Sequence, residues 1–109
     1  MFRPPGKPEF TDVASLAEVP QDGPLFVQIA GREVMLARRG ADIVAFSGHC
    51  THAFARLSEG RVDGDTVICA AHGARFDMRT GRAHSASCRD LPKAEVQLRG
   101  RRVLVKPPA

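Results

Sequence analysis

Short apolar stretches separated by glycine- and proline-marked turns run from Phe10 to Val105. Phe10–Val13 reads as a first short strand. Leu16 and Val19 then anchor a helical turn or loop ahead of the Asp22-Gly23-Pro24 turn signal. Leu25–Ile29 and Glu33–Ala37 flank the compact Ala30-Gly31 turn and predict a hairpin, and Arg39–Asp42 turns the chain into Ile43–Phe46. Further on, Leu57 and Val62 are expected as apolar plugs, with Gly60 and Gly64 permitting bends. Val67-Ile68 and Arg75–Asp77 are brief strands, the second ending at a Thr80-Gly81 turn. Ala94–Leu98 alternates with the period of a half-buried strand, and Arg99–Arg101 turns it into Val103–Val105. Residues 1–9 carry three prolines and predict an extended lead-in. Many short strands, little helix and no internal repeat point to an all-β, antiparallel architecture.

Composition narrows this picture. A chain of 109 residues is expected to form a single domain, 1–109, and 43% apolar residues is an ordinary globular value. No apolar run approaches the ~20 residues of a membrane span. The N-terminus shows neither an apolar signal core nor a twin arginine, so a cytoplasmic location without membrane association is expected. Three cysteines argue against a disulfide framework, which favours even counts. The net charge of +4 suits partners with acidic docking patches. Nucleic acid is the competing explanation, disfavoured because the arginines are scattered and no tyrosine or tryptophan is available to stack bases.

The chemistry lies in two half-sites, Cys50-Thr51-His52 and Cys69-Ala70-Ala71-His72, with sixteen residues between them. Each offers a thiolate and an imidazole, a set used for zinc, copper and iron–sulfur centres. The C-x-H…C-x-x-H pattern, with Gly73 after the second histidine and then Phe76-Asp77 and Thr80-Gly81, resembles the signature of Rieske [2Fe–2S] proteins. Leu57-Ser58-Glu59-Gly60, Gly64-Asp65 and Cys69 through Gly73 also match, and the resemblance extends over about Phe10 to Val105. It implies a Rieske fold: an antiparallel β-sandwich base with a small cluster-binding subdomain, about 46–82. It implies one [2Fe–2S] cluster per chain, with Cys50 and Cys69 on one iron and His52 and His72 on the other. A zinc-stabilised binding module without redox function is the alternative. Zinc fingers, however, pair cysteine with cysteine and histidine with histidine, whereas each half-site here mixes the two.

Other residues receive plainer readings. His49 occupies no ligand position and is expected to be a solvated loop residue; His84 is given no role. Gly48 and Gly73 are expected to let backbone approach the cluster, with N–H groups aimed at its sulfides. Arg56 and Arg75 are read as solvated charge, and Cys88 as a small, partly buried apolar residue.

No flavin or nicotinamide fingerprint, substrate pocket or mononuclear-iron triad is evident, so no catalytic residues are assigned. The resemblance implies a one-electron carrier between a flavin-dependent ferredoxin reductase and a terminal aromatic-ring oxygenase. A small Rieske subunit of a larger redox enzyme, such as nitrite reductase, is the rival. High-potential Rieske proteins place a hydroxyl-bearing serine and tyrosine after the second histidine, where this chain has Ala74 and Phe76. They also have an extra cysteine in each half-site, forming a disulfide, where this chain has Ala55 and Ala71. A low potential, on the order of −150 mV, is expected.

Overall fold

The computed structural model describes residues 10–51, 55–71, 73–85 and 88–108. Its strands are β1 (Thr11–Ser15), β2 (Leu25–Ile29), β3 (Arg32–Arg39), β4 (Asp42–Ser47), β5 (Arg61–Asp63), β6 (Thr66–Ile68), β7 (Arg75–Asp77), β8 (Lys93–Arg99) and β9 (Arg102–Lys106). Single 3-10 turns occupy Leu16–Glu18 and Leu57–Glu59. Among the described residues no helix is long and apolar enough to cross a membrane.

All strand pairs are antiparallel. Six strands form one sheet in the order β1-β9-β8-β4-β3-β2, and β5-β6-β7 form a smaller one. Strand β8 is shared. Its first residues pair with β4 (Ala45 opposite Ala94, Phe46 opposite Lys93), while the remainder pairs with β9. The large sheet therefore folds over on itself at β8 and brings β1 back towards β2. Val19, Ile29, Val34, Leu36, Ile43, Ala45, Ala94, Val103 and Val105 fill the space enclosed. The β2–β3 hairpin turns through Ala30 (φ 51°) and Gly31 (φ 80°), the two-residue turn whose twist matches that of its strands.

Strand β3 explains how two layers share one platform. A half-covered strand alternates apolar and polar positions, but β3 reads Val34-Met35-Leu36-Ala37 without a polar break, as a strand buried on both faces must. Val34 and Leu36 enter the core of the large sheet. Met35 and Ala37, on the opposite face, join Phe46, Val67, Phe76 and Met78 in a second core beneath the small sheet.

The structure corrects two expected core positions. Val62 is 44% exposed: β5 is an edge strand that, among the described residues, pairs only with β6. Leu98 is 43% exposed: β8 follows its alternation as far as half-buried Val96, then runs past the end of the enclosed core.

Candidate metal centre

The first half-site begins where β4 leaves the sheet. Gly48 N–H donates to the Glu33 carbonyl (2.7 Å), and a Cβ on Gly48 would lie 2.8 Å from Glu33 Cγ. The glycine is thus required by packing against β3. His49 then forms a bridge with Arg56, Cys50 N–H donates to the Ala55 carbonyl (2.8 Å), and Leu57 N–H returns to the Gly48 carbonyl (2.8 Å). The result is a tight loop with Cys50 at its neck.

The second half-site repeats this construction at the end of β6. Cys69 N–H donates to the Ala74 carbonyl (2.8 Å), and Gly73 N–H to the Cys69 carbonyl (2.9 Å). Gly73 has φ +67°, the left-handed conformation that suits glycine. In both loops the cysteine closes on the residue five positions later, and the motif histidine falls between them. Those histidines, His52 and His72, lie outside the described residues. Among the described residues, no cluster of three or more His, Cys, Asp or Glu could hold a metal ion.

Cys50 and Cys69 are both fully buried and share one apolar cluster with Leu57, Ala74, Phe76, Met78 and Leu91, against which half-buried Ala55 and Cys88 pack. Gly60 holds the two loops together. A Cβ there would stand 1.9 Å from the Ile68 carbonyl oxygen and 3.3 Å from Ala70 N, so the exit of the first loop lies directly on the neck of the second. Thr51 Oγ1 donates to the Arg89 carbonyl (2.7 Å), tying the first loop to the segment before β8. A cavity of about 390 Å³, lined by Glu59, Gly60, Arg61, Ile68, Cys69, Ala70 and Gly73, opens beside the second loop. Buried thiols, a water-excluding apolar shell and loop necks closed by backbone bonds suit a cofactor that takes thiolate ligands from both loops.

His49 is not solvated, contrary to expectation: it is half-buried, and its Nε2 accepts a 3.3 Å hydrogen bond from Glu33 N–H. Arg56 is exposed, 3.8 Å from Glu59, and Arg75 is exposed too. Sequence reasoning missed Glu33. Its carboxylate is buried and accepts from the Gln28 side-chain amide (3.0 Å) and from Ser58 N–H (3.4 Å), so it braces the first loop from β3. The available signal was weak: a carboxylate facing a glutamine across a predicted hairpin.

Comparison with known proteins agrees with this geometry. The Rieske [2Fe-2S] domain family matches residues 9–98. The ferredoxin component of the naphthalene 1,2-dioxygenase system of Pseudomonas aeruginosa is 34% identical over 98 residues, 89% of this chain and 94% of that protein. The biphenyl dioxygenase ferredoxin subunit of Pseudomonas sp. (strain KKS102) is 36% identical, covering 88% and 90%. Among solved structures, the ferredoxin of carbazole 1,9a-dioxygenase from Nocardioides aromaticivorans IC177 superposes with a TM-score of 0.73 at 32% identity, over 90% of this chain and 97% of that one. A second carbazole 1,9a-dioxygenase ferredoxin, solved in complex with its oxygenase, gives 0.75 at 29% identity, covering 92% and 94%. With the motif, the fold and the relatives in agreement, this chain belongs to the Rieske [2Fe-2S] family, whose cofactor is a single [2Fe–2S] cluster.

Proposed function

We infer that the chain is a one-electron carrier whose cluster is ligated by Cys50 and Cys69 on one iron and His52 and His72 on the other. One observation carries the ligand reading: the two loops close by the same hydrogen bond around buried cysteines that share one apolar shell. The cluster supplies a reversible one-electron couple. The chain's own residues do the rest. Leu57, Phe76, Met78 and Leu91 exclude water from the cysteine side, the loop necks fix the thiolates, and Gly60 keeps the loops in contact. The whole chain acts as one domain, with 46–82 as its cluster-binding subdomain.

Relatives matched over almost their whole length are ferredoxin components of naphthalene and biphenyl dioxygenase systems. By that likeness the partners are a flavin-dependent reductase as donor and a terminal aromatic-ring oxygenase as acceptor, meeting the carrier in the cytoplasm. Protein purified without oxygen should be brown and contain two irons and two acid-labile sulfides per chain, as the cofactor of this family requires. Cys69→Ser should lose them, whereas Cys88→Ser should keep them. Stoichiometric zinc without labile sulfide would refute the ligand reading. Absence of electron transfer to any ring-hydroxylating oxygenase would refute the partner reading.

A further inference from the structure

The two cysteines stand on different sheets. Cys50 follows β4 of the large sheet and Cys69 follows β6 of the small one, and among the described residues no ladder joins the two sheets. Their shared core (Met35, Ala37 and Phe46 from one side, Val67, Phe76 and Met78 from the other) draws the layers together. Apolar burial is non-directional, however, and tolerates sliding better than a hydrogen-bonded contact does. A slide would carry Cys69 past Cys50. Setting their separation calls for a directional tie.

Arg79 has the geometry for this. It sits just after β7, where its own N–H and that of Thr80 both donate to Asp77 Oδ1 (2.8 and 3.0 Å), so its backbone is fixed to the small sheet. Its guanidinium then reaches three elements at once. Nε donates to the Arg38 carbonyl near the end of β3 (2.8 Å), and Nη2 donates to the Gln21 carbonyl ahead of β2 (3.3 Å). Nη1 pairs with the Asp65 carboxylate in the β5–β6 turn, whose carbonyl also accepts from Met78 N–H (2.9 Å). The Arg79 side chain is only 24% exposed. Asp65 leads directly into β6, and β6 into Cys69. One rigid planar fork therefore spans β3, the loop before β2 and the base of the strand that presents the second thiolate. Lysine, a single point donor, cannot reproduce that fork.

We propose that Arg79 is a positioning residue that sets the second cysteine loop against the first by clamping the small sheet to β3. The proposal rests on the reading that Cys50 and Cys69 ligate one iron.

The test uses the cluster-loaded protein and four variants: Arg79→Lys, Arg79→Met, Asp65→Asn and, as a remote control, Arg102→Ala. Arg102 makes a comparable bidentate contact with Asp12 across β9 and β1, far from either loop in the sheet order. The readouts are the electron paramagnetic resonance spectrum of the reduced cluster, the rate of iron release to a chelator, and the melting temperature. Both Arg79 variants should shift or broaden the principal g-values and release iron about tenfold faster or more, the range for losing a residue that orients metal ligands. Asp65→Asn should do so more weakly. Arg102→Ala should lower the melting temperature with spectrum and release rate unchanged. If the Arg79 variants melt lower but keep the wild-type spectrum and release rate, Arg79 is structural only and the proposal fails. Should Arg79→Met not accumulate, Arg79→Lys and Asp65→Asn decide. A wild-type protein with no Rieske-type spectrum would instead overturn the ligand reading.

Discussion

Ala74 and Phe76 sit at 5% and 0% exposure in the same apolar cluster as both cysteines. Neither carries a hydroxyl that could donate to a cluster sulfur, and such bonds stabilise the reduced, more negative state. The midpoint potential is therefore expected at the low end of the Rieske range, on the order of −150 mV. An Ala74→Ser, Phe76→Tyr double variant should raise it. Voltammetry at neutral pH checks both statements, and a wild-type midpoint above zero contradicts the first. Glu33 is the other decisive residue at this scale. Glu33→Ala would remove the acceptor of Ser58 N–H and of the Gln28 amide, both on exposed residues that can turn to water, for a loss of about 0.5–1.5 kcal/mol. Glu33→Gln keeps one acceptor and should lose less, and denaturant unfolding of the two variants measures the difference.

Among the elements, the two cysteine loops repeat each other, each entered from a strand and closed by a bond from the cysteine N–H. Their mutual placement depends on Gly60, whose φ of −87° any residue could adopt but whose absent side chain leaves room for the Ile68 carbonyl. Gly60→Ala drives a methyl group into backbone that has no rotamer to change. The expected loss is about 3 kcal/mol, the upper part of the usual range for overpacking. Calorimetry of the loaded protein should show it, together with a bleached or partly loaded cluster. Gly64→Ala is a useful contrast: its φ of +60° makes the substitution strained, yet no atom stands near its Cβ position, so the cysteine loops should stay in place.

The whole molecule carries a formal charge of +4. Among the described residues, ion pairs engage Arg56, Arg79, Arg102 and Lys106. Arg61, Arg75, Arg82 and Arg89, all exposed, belong to the segments that carry or adjoin the two loops. Encounter with an acidic acceptor should therefore be steered by charge. Electron transfer to the proposed oxygenase acceptor should slow as salt rises and the Debye length falls to about 10 Å at 0.1 M. Stopped-flow rates that stay flat across ionic strength would show the surplus charge to be incidental.

The sequence by itself determined what is local along the chain. The half-sites at Cys50–His52 and Cys69–His72 are contiguous motifs, readable without knowing what surrounds them. The strands around Leu25–Ile29 and Val67-Ile68 were legible because apolar residues ran together, and Arg75–Asp77 because it leads into the Thr80-Gly81 turn. The missing hydroxyls at Ala74 and Phe76 are likewise a matter of residue identity. Tertiary structure decided everything that depends on residues distant in the chain. An apolar side chain declares a preference for burial but not what will cover it, so Val62 and Leu98 end exposed. The polar anchors followed the same rule. His49 meets Glu33, Arg79 reaches Arg38 and Gln21, and Gly60 meets Ile68 only once two sheets stack on the shared strand β3. No periodicity records such meetings, because the partners are brought together by the path of the chain rather than by their spacing in it.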